Sequence, residues 1–199
     1  MEDEIKINTT ISTGSSERLS ESDKELLEKF RKEETRNYAF NLLVREYQKR
    51  LYWHIRKILI DHDDTNDVLQ NVFIKVWRNL EGFKGESQLF TWLYRIATNE
   101  SITFLNQKKK RAGVPIDEGS SFLGISLQSD ALFKGDEIQA KLQQAILTLP
   151  DKQRIVFNMK YFDNMKYEDM SQVLETSVGA LKASFHHAVK KIESYLTSH

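Results

Sequence analysis

From about residue 22 to residue 196, apolar side chains recur every three or four positions in successive segments, the period that lines one side of an α-helix. Ser22 followed by Glu25 has the form of a capping box, and Leu26, Leu27 and Phe30 open the first segment behind it. A longer helix is predicted over residues 36–60, with Phe40, Leu43, Val44, Tyr47, Leu51, Ile55 and Ile58 at helical spacing. A polar break at residues 61–66 leads into a helix running to about residue 80, which buries Val68, Leu69, Val72, Phe73, Val76 and Leu80. A loop at 81–88, holding Gly82 and Gly85, precedes a helix over 91–111.

The pattern then changes. Residues 113–136 concentrate Gly, Ser and one of the two prolines, which reads as a linker, although Phe122, Leu123, Ile125 and Leu127 make it more apolar than a solvated tether. Helices resume over 138–149, and Pro150 suits the first turn of a helix over 151–161. Two more follow over 166–174 and 178–196. Residues 1–20, rich in Thr, Ser and Glu without apolar periodicity, are expected to be disordered. The expectation is an all-α fold. Two small helical domains, 21–112 and 137–199, are joined by the 113–136 linker, and the second is a helix-turn-helix.

Composition narrows the function classes. Two prolines and eight glycines among 199 residues, with 29% charged, favour helices over strands and turns. No apolar run approaches the ~20 residues that span a bilayer, and the acidic start MEDEIK is not a signal peptide, so no membrane association is expected. Zero cysteines exclude disulfides and thiolate metal sites, which fits a cytoplasmic protein. The net charge of zero hides a partition: −4 over residues 1–35, +6 over 36–112, −3 over 113–136 and +1 over 137–199. A basic block bracketed by acidic ones is the electrostatic footprint of a polyanion-binding protein.

Three stretches carry candidate chemistry. In the 91–111 helix, Thr91, Arg95, Thr98, Asn99, Ile102, Asn106 and Lys109 fall along one side, beside aromatics, and the helix closes on Lys108, Lys109, Lys110 and Arg111. Hydrogen-bonding side chains ending in a basic cluster suit nucleic acid. In the helix ending near residue 80, Asp67, Gln70, Asn71, Lys75 and Arg78 surround an exposed Ile74, the layout of a small protein interface. In the 178–196 helix, Val178, Leu181, Phe185, Ala188, Ile192 and Leu196 form an apolar stripe. Gly179, Ala180, Ala183, His186, His187, Lys190 and Lys191 lie opposite, as on a recognition helix in a major groove. Ser177 is its natural N-cap, after a turn at 175–177. The acidic run at 61–67 fails as a calcium loop, because Asn66 and Val72 stand where Gly and Glu are needed; it reads as a helix N-terminus. Adjacent His186 and His187 point about 100° apart on a helix, so no metal site is expected there.

With these motifs in order, the chain resembles the extracytoplasmic-function group of sigma factors in the sigma-70 family, over about residues 22–196. Residues 67–77, DVLQNVFIKVW, are similar to the region 2.2 signature. Phe83 to Ser87 and Phe90 to Asn99 are similar to regions 2.3 and 2.4. Leu149-Pro150 through Tyr161, then Tyr167 to Met170, Ser177 to Lys182 and Ala188 to Ile192, are similar to region 4. The resemblance implies a factor that binds core RNA polymerase and directs promoter recognition and opening. Asp67, Gln70, Asn71, Ile74 and Arg78 would dock on the clamp helices of the largest catalytic subunit. Lys84, Phe90, Thr91, Trp92, Arg95, Thr98 and Asn99 would open and hold the −10 promoter element, together with Asn106, Lys108, Lys109, Lys110 and Arg111. Ser177, Gly179, Ala180, Lys182, Ala183, His186, His187 and Lys190 would read the −35 element as duplex DNA. The acidic linker would run through the polymerase interior, and an anti-sigma protein is a further partner found among relatives. Neither catalytic residues nor a metal or other cofactor are implied, and the protein is not expected to be an enzyme.

The chain departs from the family pattern at Thr103 and Asn106, where many relatives carry Asp and Arg, and at Ala183, Ser184 and His187, where Ser, Arg and Arg are usual. Fewer permanent cations on the reading helix imply weaker phosphate anchoring and a distinct −35 sequence. The alternative function is a free-standing helix-turn-helix regulator whose N-terminal half senses a ligand or dimerises. A helical hydrolase with a metal at the acidic run lacks a ligand set.

Overall fold

The computed structural model describes residues 19–113 and 137–198, in which there are eight α-helices, one 3₁₀ turn and no strand. Most of the linker and residues 1–18 lie outside the described residues, as does the disorder expected at the N-terminus. Among the described residues no helix is long and apolar enough to cross a membrane.

Helix α1 (Glu21–Arg31) is capped by Ser20, whose hydroxyl accepts from the Asp23 amide at 3.1 Å, two residues before the expected Ser22. Leu19, expected to be disordered, instead packs on the core and comes within 3.1 Å of where a Cβ on Gly85 would sit. Gly85 also has φ +72, so that loop position takes glycine for both reasons. Helix α2 (Glu33–Leu59) is the central rod: Ala39, Leu43, Leu51, Ile55 and Ile58 are fully buried at three-, four- or eight-residue spacing. It stops at Ile60, which has φ 67; this β-branched residue accepts the strain while its side chain stays buried.

The expected polar break at 61–66 is the first turn of α3 (His62–Asn79). The Asp61 carboxylate accepts from the Asp64 amide at 2.9 Å, and Asp63 and Asp64 complement the dipole. A 3₁₀ turn (Leu80–Gly82) and a short loop lead into α4 (Leu89–Arg111), which lies against both α2 and α3.

The C-terminal unit holds α5 (Glu137–Leu147), α6 (Asp151–Tyr161), α7 (Tyr167–Leu174) and α8 (Val178–Ser198). Helix α5 ends two residues before the expected boundary, in tight turn bonds from Thr148 and Leu149. Pro150 occupies the N-cap of α6 rather than its first turn. Ala145, Ile146, Leu149, Phe157, Ala188 and Ile192 form one apolar cluster, where the Phe157 ring stacks on Phe185 at 5.8 Å. Other side chains of this unit join a different cluster. Ile155, Val156, Met159, Met170, Val173 and Leu181 are continuous with the core of α2, α3 and α4. The two units therefore pack together, with α7 on α4 and α6 on α2.

Candidate nucleic-acid interface

Three surfaces follow from this packing. On α3, burial of Val68, Val72 and Val76 turns the opposite side outward, so Asp67, Gln70, Asn71, Ile74 and Arg78 are all exposed. Ile74 is 42% exposed, and Lys75 beside it is tied to Glu100 of α4 by an ion pair. Trp77, at the rim, meets Phe40 edge-on at 4.9 Å and Phe30 at 5.3 Å, which stiffens this end of α3.

The second surface surrounds the loop before α4. Phe83 is buried and lies 5.1 Å from the Trp92 ring, and Lys84 is exposed. Gly82, Phe83, Lys84, Glu86, Ser87, Trp92 and Arg95 line an open pocket there, with Gln172 of α7 as part of its wall. Phe90 is half-buried, 4.2 Å from the Tyr94 ring and under the Arg50 guanidinium at 4.6 Å. Arg95, Asn99, Lys110 and Arg111 are exposed, and Asn106 is half-buried.

The polar stripe predicted along α4 does not lie on one open side. Thr91, Thr98 and Lys109 are buried. The Thr98 hydroxyl donates to the Tyr94 carbonyl at 2.7 Å, and its oxygen also meets His54 Nε2 at 2.9 Å. Lys109 pairs with Asp151 and Lys108 with Asp64. These contacts occupy residues that sequence periodicity set out for DNA.

The third surface is the helix-turn-helix of α7 and α8. Glu175 makes the turn at φ 50, ψ 41, the left-handed conformation that closes α7. The Ser177 hydroxyl accepts from the Ala180 amide at 3.3 Å, so the expected cap is present. Gly179, Ala180, Lys182, Ala183, His186, His187 and Lys190 are exposed along α8, while Leu181, Ala188 and Ile192 are buried. Lys182 Nζ rests 5.7 Å from the centre of the Tyr167 ring. Among the described residues no cluster of three or more His, Asp or Glu could hold a metal ion.

Sequence reasoning missed a polar seam between the units. Asp163, after α6, receives Lys57 Nζ at 2.5 Å and meets His54 Nδ1 at 3.0 Å. Burial is the strongest single influence on this carboxyl and opposes its ionisation. The hydrogen bonds and charges of His54 and Lys57 together outweigh it and hold the group below the usual carboxylate range. Asp151 takes both Lys109 and, at 3.0 Å, Arg154 Nη2. No local pattern announces these pairs, because their members lie between 42 and 109 residues apart, apart from the Asp151–Arg154 contact.

A helix-turn-helix with an exposed polar side, a pocket lined by aromatic and charged side chains and a separate helix face with an apolar centre make up a two-unit all-α protein. Comparison with known proteins sharpens that class. The sigma-70 region 2 family model matches residues 43–111, and the sigma-70 region 4 model matches residues 139–192. The RNA polymerase sigma-H factor of Pseudomonas aeruginosa is 32% identical over 185 residues, covering 88% of this chain and 94% of the relative. The ECF RNA polymerase sigma-E factor of Escherichia coli is 29% identical over 181 residues, covering 87% and 93%. In fold, the chain is similar to CnrH, solved in complex with the cytosolic domain of CnrY. That match has a TM-score of 0.65 at 20% identity, covering 89% of this chain and 98% of that one. The chain belongs to the sigma-70 family, in its extracytoplasmic-function group.

Proposed function

We propose that this sigma factor docks on core RNA polymerase through the exposed α3 face centred on Ile74, captures −10 DNA with the α4 surface and reads the −35 duplex with α8. The observation that carries the reading is the α3 face. Its five polar and apolar side chains stand open on a helix whose other side is fully committed to the core. An interface of this kind gains from an apolar centre with hydrogen-bonding groups around it.

On the −10 side, Phe83, Trp92 and Arg95 frame a pocket whose chemistry suits an unstacked base, and the exposed Lys84, Lys110 and Arg111 are cations available to phosphates. On the −35 side, small residues at the start of α8 allow close approach, and Lys182 and Lys190 provide phosphate anchors. The work is non-enzymatic and belongs in the cytoplasm, where polymerase and chromosome meet. The test is run-off transcription with purified core polymerase and a promoter library. The chain is expected to confer initiation on a defined subset, and Gln70→Ala with Ile74→Ala is expected to weaken that activity without changing the melting temperature. Tight sequence-specific duplex binding by the chain alone, with no initiation in the presence of polymerase, would instead establish the free-standing regulator.

A further inference from the structure

At the edge of the helix-turn-helix, two ammonium groups converge on one aromatic ring. Tyr167 opens α7, half-buried, with its side chain packed against the main core. Partial burial lifts its hydroxyl above the ordinary tyrosine range, so the ring stays a neutral phenol. Lys160 Nζ of α6 lies 5.1 Å from the ring centre and Lys182 Nζ of α8 lies 5.7 Å from it, both within the ~6 Å reach of a cation–π contact.

The two lysines are not equivalent. Lys160 is half-buried and donates to the Met165 carbonyl at 3.2 Å, which fixes it to the turn between α6 and α7. Lys182 is exposed, and among the described residues no carboxylate pairs with it. It is also the one lysine or arginine in the first two turns of α8, beside Gly179, Ala180 and Ala183, where the helix can come closest to a groove. Lys190 and Lys191 follow about two turns further along.

A free lysine has a long flexible stem, and a phosphate contact must first order it. A carboxylate would order it by cancelling its charge. The π face attracts the ammonium but carries no net charge, so the cation keeps its full charge and its N–H donors for a phosphate oxygen. Lys160, held on the same ring, sits within roughly 11 Å of Lys182, on the order of a Debye length at 0.1 M salt. Its charge therefore adds to the attraction that an arriving phosphate feels.

We propose that Tyr167 is a positioning residue for −35 recognition: its ring holds the Lys182 ammonium in place to anchor a phosphate of the duplex that α8 reads. The inference rests on the −35 assignment of α8 above, and it adds a residue outside the reading helix that acts through Lys182.

The full chain bound to core polymerase is titrated onto a fluorescein-labelled promoter fragment chosen by run-off transcription from the library. Lys182→Met tests the underlying assignment, and it is expected to weaken binding and lower the salt slope by about one. Tyr167→Leu is expected to weaken binding about two- to fivefold, the worth of one cation–π contact at an exposed site. Tyr167→Phe keeps the ring and is expected to stay within about twofold of the unsubstituted chain. In a chain that already carries Lys182→Met, Tyr167→Leu is expected to cost nothing further. In the free full chain, the ring current should move the Lys182 ε-proton resonances upfield of those of Lys190, and Tyr167→Leu should return them. Should Tyr167→Leu fail to melt cooperatively, trifluorophenylalanine at position 167, which keeps the packing and drains negative charge from the ring face, is read in its place. Losses that add in the double variant, a Tyr167→Phe loss equal to that of Tyr167→Leu, or Lys182 protons without the upfield shift would each overturn the positioning role while leaving α8 as the reader. A Lys182→Met chain that binds as tightly as the unsubstituted one would remove the phosphate anchor, and the proposal would fall with it. Should no promoter respond in run-off, the sigma-factor reading of the surfaces fails, and the ring-current comparison still decides whether Tyr167 holds Lys182.

Discussion

Truncating Ile74 separates docking from folding. The side chain is 42% exposed and lies outside both apolar clusters, so Ile74→Ala removes little from the folded state. Covering an Ile completely is worth about 1.5–3 kcal/mol, and the exposed share of that is roughly 0.6–1.3 kcal/mol. Losing it on the polymerase side weakens association about three- to ninefold. Val72 sits two residues away on the same helix with no exposure, and it provides the contrast. Val72→Ala leaves a gap in the core and costs about 1.5–3 kcal/mol of stability, or several degrees in melting temperature at roughly 2–4 °C per kcal/mol. The assay is titration of dye-labelled chain with core polymerase, paired with thermal unfolding by circular dichroism. Ile74→Ala should shift the binding midpoint and leave the melt within about 1–2 °C of the unsubstituted chain. Binding unchanged within twofold, or weaker binding that tracks a lower melting temperature, would refute the docking face.

Four further outcomes follow from the same packing. Leu93 of α4 is fully buried, so Leu93→Ala should lower stability by about 2–5 kcal/mol and the melting temperature by roughly 4–20 °C; a drop under about 2 °C contradicts its place in the core. Glu175 sits at φ 50, and Glu175→Gly should raise stability by about 0.5–1 kcal/mol, read as a small rise in the melt, with a fall counting against the left-handed turn. His187→Arg adds a permanent cation to the exposed side of α8 and should steepen the salt dependence of promoter binding by the polymerase complex by about one unit of log slope; an identical slope would place that side chain away from the backbone. The Asp163 carboxyl is held below its ordinary value near ~3.9, so its stabilisation is complete above that value and is lost as pH falls through the lower folded one. The difference in urea midpoint between the unsubstituted chain and Asp163→Asn should therefore be steady from neutral pH down to about 5 and shrink below about 4, and a gap that persists at lower pH contradicts the pairing.

The apolar period places six of the eight described helices within three residues at both ends, and the start of the first, because it counts buried side chains that repeat locally. The third helix begins at His62, inside the expected polar break at 61–66, where Asp61 outside it caps the Asp64 amide. An acidic run after a helix stop reads equally as loop or as first turn, and only the cap geometry decides. The α3 face was legible for a simple reason: Asp67, Gln70, Asn71 and Arg78 have side chains too polar and too long to bury beside three valines. The polar stripe of α4 was not. A Ser or Thr hydroxyl can bond back to the carbonyl one turn earlier, as Thr98 does to Tyr94 and Ser101 does to Ala97. Such a residue enters a core without any outside partner, so its polarity says little about exposure. Lys109 is the opposite case. It needs a partner to be buried, and that partner, Asp151, lies in the other unit beyond the reach of any local pattern.

The same pairing alters the meaning of the basic block. Residues 36–112 carry a formal +6, yet several of those cations are matched in the folded chain by acids, some from inside the block and some from outside it. Lys75, Lys108 and Arg36 are matched by Glu100, Asp64 and Glu81, pairs that survive whichever way the C-terminal unit sits. Lys57 and Lys109 are matched by Asp163 and Asp151, which belong to the other unit. The positive field that the sequence suggests for this block is therefore smaller on the folded surface, where Asp151 and Asp163 add two negative charges that a count over residues 36–112 leaves out.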